Sequence, residues 1–251
     1  MTASSRADVC AVACADLFAG AGETVASPIG TMPSIGARLA RATTEPDLLL
    51  SDGEAFLLAD TQILGGKSDT PPTIEGWLPY RTVFDVVAAG TRHVIMGANQ
   101  IDRFGNQNIS CLGPHDKPTR QMFGVRGAPG NTINHRTSYW VAKHSSRVFV
   151  EAVDMVSGVG YDKVVDNPAA RYLDVHRVVT DLGVFAFDGE NRSMSAVSIH
   201  PGVTAEQIAE QTGFTVHGLA DAPFTREPTD TELEMLAWLD PRGFRSKEVP
   251  A

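Results

Sequence analysis

Short apolar runs alternate with stretches of helical periodicity along most of the chain. Residues 9–22 are small and mostly apolar but carry Asp16, and they read as an amphipathic first helix. Residues 24–29 form a strand pattern, followed by a Gly/Pro turn and a helix over about 34–42. Residues 47–50, Asp-Leu-Leu-Leu, have the run of a strand buried on both faces. Pro79 opens a helix that runs to about Ala89, with Gly90 as its natural stop. The next strand, 93–96, ends at Gly97, and further strands are expected over 138–142, 148–152, 178–180 and 184–187.

Two helices near the C-terminus carry start signals. Thr204 with Gln207, and Thr229 with Glu232, each fit a capping box, in which the hydroxyl accepts from an orphan amide and the later side chain reaches back. Gly213 closes the first helix, and the second, 231–239, stops before Asp240-Pro241. Residues 65–72 and 164–168 read as irregular excursions. This alternation predicts an α/β fold, an open, mostly parallel sheet covered by helices. Without a repeat or a low-complexity linker, residues 1–251 are expected to form a single domain. Ligands of such sheets lie beyond the carboxyl ends of the strands, so the segments following strands are where a site is sought.

The composition narrows the partners. The chain has 251 residues, 43% hydrophobic and 20% charged, which is ordinary for a globular protein. A formal net charge of -9 repels phosphate backbones and anionic lipid, so neither nucleic acid nor a membrane is an expected partner. The first helix follows Asp8 and contains Asp16, unlike the apolar region of a signal peptide. No run reaches the ~18 to 20 apolar residues that a bilayer requires. The seven histidines and Cys10, Cys14 and Cys111 show no zinc-ligand spacing, so buried thiols in a reducing cytoplasm are expected, and no metal.

Common motifs are missing. There is no GxxxxGK(S/T) phosphate loop and no GxSxG elbow, and Gly20-Ala21-Gly22 precedes a strand and lacks the third glycine of a dinucleotide fingerprint. Three segments that follow strands or turns stand out. In 27–33, a turn containing Gly30 leads through Met32 and Pro33 into a helix N-terminus, which offers amides and a positive dipole end. In 97–108, Gly97 and Ala98 permit close approach to the backbone, Gln100 supplies a neutral donor and Arg103 a cation. The same residues would equally make a polar hairpin with Asx caps. In 124–131, Arg126, Gly127, Gly130 and Asn131 sit in a glycine-rich loop able to present amides to an oxyanion, or to act as a simple turn.

Taken in order, these segments resemble the β subunit of the class I CoA-transferases. Gly97-Ala98-Asn99-Gln100-Ile101-Asp102 with Gly105-Asn106-Gln107-Asn108 matches that family's GAxQxD…GNxN element, and Gly127-Ala128-Pro129-Gly130-Asn131 fits its glycine-rich loop. Val179-Thr180-Asp181-Leu182-Gly183, His200-Pro201-Gly202 and Thr212-Gly213-Phe214 continue the likeness toward the C-terminus. One position departs: Ser51-Asp52-Gly53 stands where the family keeps the Glu-x-Gly of its nucleophile. A hydroxyl cannot form the glutamyl thioester that carries CoA. This departure resembles a branch of the family, the CoA-transferase-like hydrolases of actinobacterial steroid degradation.

The resemblance implies an α subunit as partner, in a heterodimer that pairs further to α2β2. It implies coenzyme A as part of the substrate, with no bound cofactor, and a cytoplasmic enzyme. The reaction it implies is hydrolytic, retro-Claisen-like opening of the last ring of a steroid-derived oxo acyl-CoA, with the general base supplied by the partner. Ser51 is then expected to line the site, with Gln100 and Asn131 as further catalytic candidates. Gly30, Met32, Gly97, Ala98, Arg126, Gly127 and Gly130 are expected to contact substrate or CoA. Two alternatives remain: a CoA-transferase for a dicarboxylic or 3-oxo acid whose carboxylate is Asp52, Glu54 or a partner residue, and a catalytically silent subunit that completes the α subunit's pocket.

Overall fold

The computed structural model describes residues 4–53, 55–66 and 71–250. The chain forms two compact units, Met1–Ile95 with Arg226–Ala251, and Met96–Thr225.

The first unit begins with α1 (Arg6–Asp16), whose Ser5 and Asp8 form a reciprocal capping box. Nine of its eleven residues are buried, so it is a core helix and not the amphipathic surface helix expected, and it ends at Asp16 rather than near Gly22. Its alanines and cysteines are small enough for this. Gly36, on α2 (Thr31–Thr43), lets the two helices touch: a Cβ there would lie 2.5 Å from that of Cys14. Burial pushes the Cys14 thiol up, and Cys10 and Cys111 are likewise buried. α2 starts earlier than expected, because Thr31, Met32 and Pro33 form its first turn, where proline's missing N–H has no helical partner to lose.

The strands of this unit are β1 (Val25–Pro28), β2 (Leu49–Ser51), β3 (Phe56–Leu58), β4 (Ile74–Trp77) and, after α3 (Tyr80–Ala89), β5 (Arg92–Gly97). β1 runs parallel to β2 and β5, while β3 and β4 extend the β2 edge antiparallel. Gly90 ends α3 in the left-handed conformation, as its position predicts.

In the second unit the hairpins β6 (Gln100–Ile101) with β7 (Gln107–Asn108), and β8 (Cys111–Leu112) with β9 (Arg120–Gln121), precede α4 (Ala128–Asn134). β10 (Arg136–Val141) pairs parallel with β11 (Val175–Thr180), and β12 (Gly183–Ala186) and β13 (Ser195–Ile199) follow antiparallel. The expected α/β sheet is therefore present, parallel within each unit and antiparallel toward an edge. The strand expected over 148–152 is reduced to one bridge, Ile101 to Phe149. Its only neighbour on that side, β6, is two residues long and cannot carry a longer ladder. Phe149 instead anchors the core, stacked 3.8 Å from His144. α5 (Ala205–Glu210) keeps only the Thr204 half of its cap.

The chain then returns to the first unit as α6 (Asp230–Leu239) and α7 (Phe244–Glu248). α6 has the full Thr229–Glu232 box. Arg226 forks onto Glu232 at 2.7 and 2.9 Å and also holds Asp16 at the end of α1. Arg245 joins Asp8 at 2.7 Å to Asp240 at 3.1 Å. No helix of the described residues is long and apolar enough to cross a membrane.

Gly36→Ala is expected to lower stability by about 2 kcal/mol in urea unfolding, because the α1–α2 contact has no room for a methyl group. The Arg226 fork holds the Glu232 carboxyl down at about 2, against an ordinary 4.5. A depressed acid stabilises the fold above its unfolded value and loses that contribution as pH falls. Glu232→Gln should thus cost about 1 kcal/mol at neutral pH, and the gap to the natural chain should close between pH 4.5 and about 2.

Candidate active site

Ser51 closes β2 in the first unit. It is half-buried, and among the described residues its hydroxyl accepts one hydrogen bond, from Gly53 N at 3.2 Å. Among the described residues, no base is hydrogen-bonded to it. Asp52, the next residue, is exposed and folded onto its own turn, where it accepts from Ala55 N and Phe56 N at 3.0 and 3.1 Å. Glu54 lies outside the described residues. Gly30 holds φ at 114°, a conformation only glycine adopts easily, and leads into α2. Met32 is fully buried, and its amide donates to Glu248 at 3.0 Å, so this helix end already faces a carboxylate from within the chain.

In the second unit, the segment after β5 is a hairpin with a polar interior. Gln100, Asp102, Asn106, Gln107 and Asn108 are all buried, and each side chain bonds another part of the chain. Asp102 accepts from Phe104 N, Asn106 N and Asn106 Nδ2 at 2.8–3.1 Å. Burial raises its carboxyl above the usual range despite these bonds. Asn106 also donates to Asp162 at 2.7 Å and accepts from Gly160 N at 2.8 Å. Gln107 donates to the Gly97 carbonyl at 2.6 Å. Its Oε1 and the Tyr139 hydroxyl, both beside Gly158, are the buried side-chain atoms without a hydrogen-bond partner among the described residues.

Gln100 accepts from Asn108 Nδ2 at 2.7 Å and from Asp154 N at 2.9 Å, and donates to Asp154 Oδ2 at 3.2 Å. Asp154 Oδ2 also accepts from Gly113 N at 2.9 Å. Gln100 thus ties three segments together, with both lone pairs of its carbonyl engaged. Gly97 is exposed and Ala98 half-buried at the end of β5.

The glycine-rich segment is half loop and half helix. Gly127 caps α4, and Ala128 N and Asn131 N already bond Val125 O and Gly127 O, so the expected amide cradle is partly taken up by the helix. Gly130 lies in its first turn. Asn131 is buried, 3.1 Å from Met96 Sδ and 3.2 Å from His135 Nε2. This brings Asn131 to Met96 in β5, while Gln100 faces Asp154. Arg126 is exposed, holds a positive φ of 51°, and reaches to 6.0 Å from the Phe123 ring. A non-glycine residue in this region is strained, and such strain collects at functional loops.

Sequence reasoning passed over Asp154, His135 and Asp162. Asp154 and Asp162 lie 54 and 56 residues along the chain from Gln100 and Asn106, whereas His135 lies four residues from Asn131, a local spacing like that of the Asp102-x-x-x-Asn106 turn.

Residues 20–211 match the family model described as Coenzyme A transferase. The chain is 63% identical over 251 residues to the cholesterol ring-cleaving hydrolase IpdB subunit of Rhodococcus jostii (strain RHA1), covering 99% of this chain and 98% of that protein. It is 61% identical over 248 residues to the protein of the same name from Mycobacterium tuberculosis (strain H37Rv), covering 98% and 99%. The crystal structure of Rhodococcus jostii RHA1 IpdAB superposes with a TM-score of 0.95 at 63% identity, over 100% of both chains.

Asn106→Ala would leave buried acceptors on Asp102 and Asp162 and the Gly160 amide unpaired. A loss of about 3 kcal/mol in unfolding free energy is expected, together with faster hydrogen exchange at Gly160.

Proposed function

This chain belongs to the coenzyme A transferase family, and we infer that it is the B-type subunit of a hydrolase that opens a steroid-derived ring on an acyl-CoA thioester. The observation that carries this reading is Ser51, a hydroxyl at the end of β2 with no base hydrogen-bonded to it among the described residues, where CoA-transferases keep an attacking glutamate. The likeness to ring-cleaving hydrolases over almost the whole length supports it. Asp52 gives the transferase alternative little help, since its carboxylate already closes a turn.

Without a glutamyl thioester, the thioester is left whole and water is the nucleophile. Water adds to a ring carbonyl, the adjoining ring carbon–carbon bond breaks, and the released carbanion is held as an enolate and then protonated. The product is one water heavier and keeps its CoA. The work of the site is to hold the substrate and to stabilise oxyanion and enolate charge. Arg126, strained and exposed on its loop, suits a carboxylate of the substrate, because a guanidinium fork matches that geometry. Asn131, which contacts Met96 of β5, and the exposed strand end at Gly97 and Ala98 suit the same substrate, with Gly127 and Gly130 shaping the loop. The base comes from the A-type partner, with which this chain assembles in the cytoplasm as an α2β2 complex. Coenzyme A enters only as part of the substrate.

The test is to purify the chain with its A-type partner, incubate the complex with a ring-bearing oxo acyl-CoA and an acceptor acid, and follow every CoA species by mass spectrometry. A CoA product heavier by one water is expected; transfer of CoA to the acceptor would sink the reading. Arg126→Ala should lower kcat/KM at least about tenfold, worth about 1.4 kcal/mol, while the complex still assembles on gel filtration. Unchanged turnover in Arg126→Ala, Gln100→Ala and Asn131→Ala would instead mark the subunit as catalytically silent.

A further inference from the structure

Gln107, in β7, takes no part in the ring-opening reading, yet it is fully buried and its side-chain amide donates to the Gly97 carbonyl at 2.6 Å. A carbonyl only accepts, so the Nε2 end of that amide must face Gly97 and Oε1 must face away from it. Oε1 has no donor among the described residues. The Tyr139 hydroxyl of β10, also fully buried, has no acceptor among them. Burial and the nearby Asp102 keep the Tyr139 proton in place far above the ordinary phenol range, so the group is a donor at any working pH. One acceptor and one donor are thus left in the same interior, where unmade hydrogen bonds are costly.

Both atoms border Gly158. The backbones of Gly158 and Gln107 hold each other through hydrogen bonds of 2.9 and 3.1 Å. A Cβ on Gly158 would stand 3.3 Å from Gln107 Oε1, 3.5 Å from the Tyr139 oxygen and 3.0 Å from Thr132 Cγ2. Glycine brings no atoms of its own to that side of the chain. Water both accepts and donates, so it is the ligand whose chemistry answers the two atoms together. The other end of the Gln107 amide governs the end of β5. The Gly97–Ala98 peptide is trans and planar, so fixing the Gly97 carbonyl also fixes the direction of the Ala98 N–H.

We propose that one internal water beside Gly158 accepts from the Tyr139 hydroxyl and donates to Gln107 Oε1, and that Gln107, so held, positions the Gly97–Ala98 peptide for the substrate. Gln107 is a positioning residue, since it acts through that peptide. The positioning role rests on the reading that this strand end meets the acyl-CoA; the water does not.

The test uses the complex of the chain with its A-type partner. A high-resolution crystal structure of the complex is expected to show one ordered water within hydrogen-bond distance of Gln107 Oε1 and the Tyr139 hydroxyl. A direct bond between the two groups, or no water there, would overturn the bridge. In turnover of the ring-bearing oxo acyl-CoA, Gln107→Leu should lower kcat about tenfold and Tyr139→Phe about threefold, with KM nearly unchanged. Gly158→Ala, which sets a methyl group against the water, should match Tyr139→Phe. Adding Thr132→Ser removes the methyl group nearest the new Cβ, and should restore thermal stability but not kcat. Gln107→Glu gives a readout that a purely structural role would not move. Its ionised carboxylate cannot donate to the Gly97 carbonyl and its protonated acid can. Its kcat should therefore recover, relative to Gln107→Leu at each pH, as the pH falls. Variants that assemble with unchanged kcat, or parallel pH profiles for Gln107→Glu and Gln107→Leu, would overturn the positioning role and leave the hydrolase reading standing. A bridging water in a natural complex that does not open the ring would sink that reading and leave the bridge.

Discussion

Five buried polar side chains within nine residues, Gln100, Asp102, Asn106, Gln107 and Asn108, impose one constraint on the second unit: each must find a partner away from water. An unpaired buried amide or carboxyl costs more than most single contacts return. Residues 142–174 contain no α-helix or strand, and the chain there is held by meeting these side chains instead. Asn106 fixes Gly160 and Asp162, Gln100 fixes Asp154, and through Asp154 it fixes the turn of the β8–β9 hairpin at Gly113. Gly160 is a glycine for the same reason, since a Cβ there would lie 2.4 Å from the Phe104 carbonyl.

The same framework accounts for what the sequence could and could not show. Boundaries with local chemistry were legible: Pro79 and Gly90 around α3, the Thr229–Glu232 box of α6, and the glycine that ends β5. Elements defined by distant neighbours were not. Residues 148–152 have the apolar alternation of a strand, yet only Phe149 finds a ladder partner. The antiparallel strands β3, β4, β8 and β9 have two to four residues, too few for a period to register. α1 looked amphipathic because Asp8 and Asp16 interrupt its apolar run, but both are ion-paired, to Arg245 and Arg226, over more than 200 residues of chain.

The candidate site shows the same division. The GAxQxD…GNxN segment was legible as special, and its residues suit both a ligand loop and a capped hairpin. In the folded chain Gln100 and Asn106 are engaged with other segments, while Gly97 is exposed and Ala98 half-buried. Ser51 is the opposite case. Its meaning comes from what is not there, a carboxylate, and no amount of local geometry would have flagged it without the family pattern beside it.

The ion pairs of the first unit also set a timetable. Arg226, Arg245 and Glu248, which hold Asp16, Asp8 and the Met32 amide, leave the ribosome more than 200 residues after those partners. By then residues 96–225 have all emerged and can have organised their own polar interior. Helices α1 and α2, made before that unit, thus acquire these partners only after it. A nascent chain stalled short of Arg226 would expose α1 with both of its aspartates unanswered, and a quality-control system could read that state as unfinished.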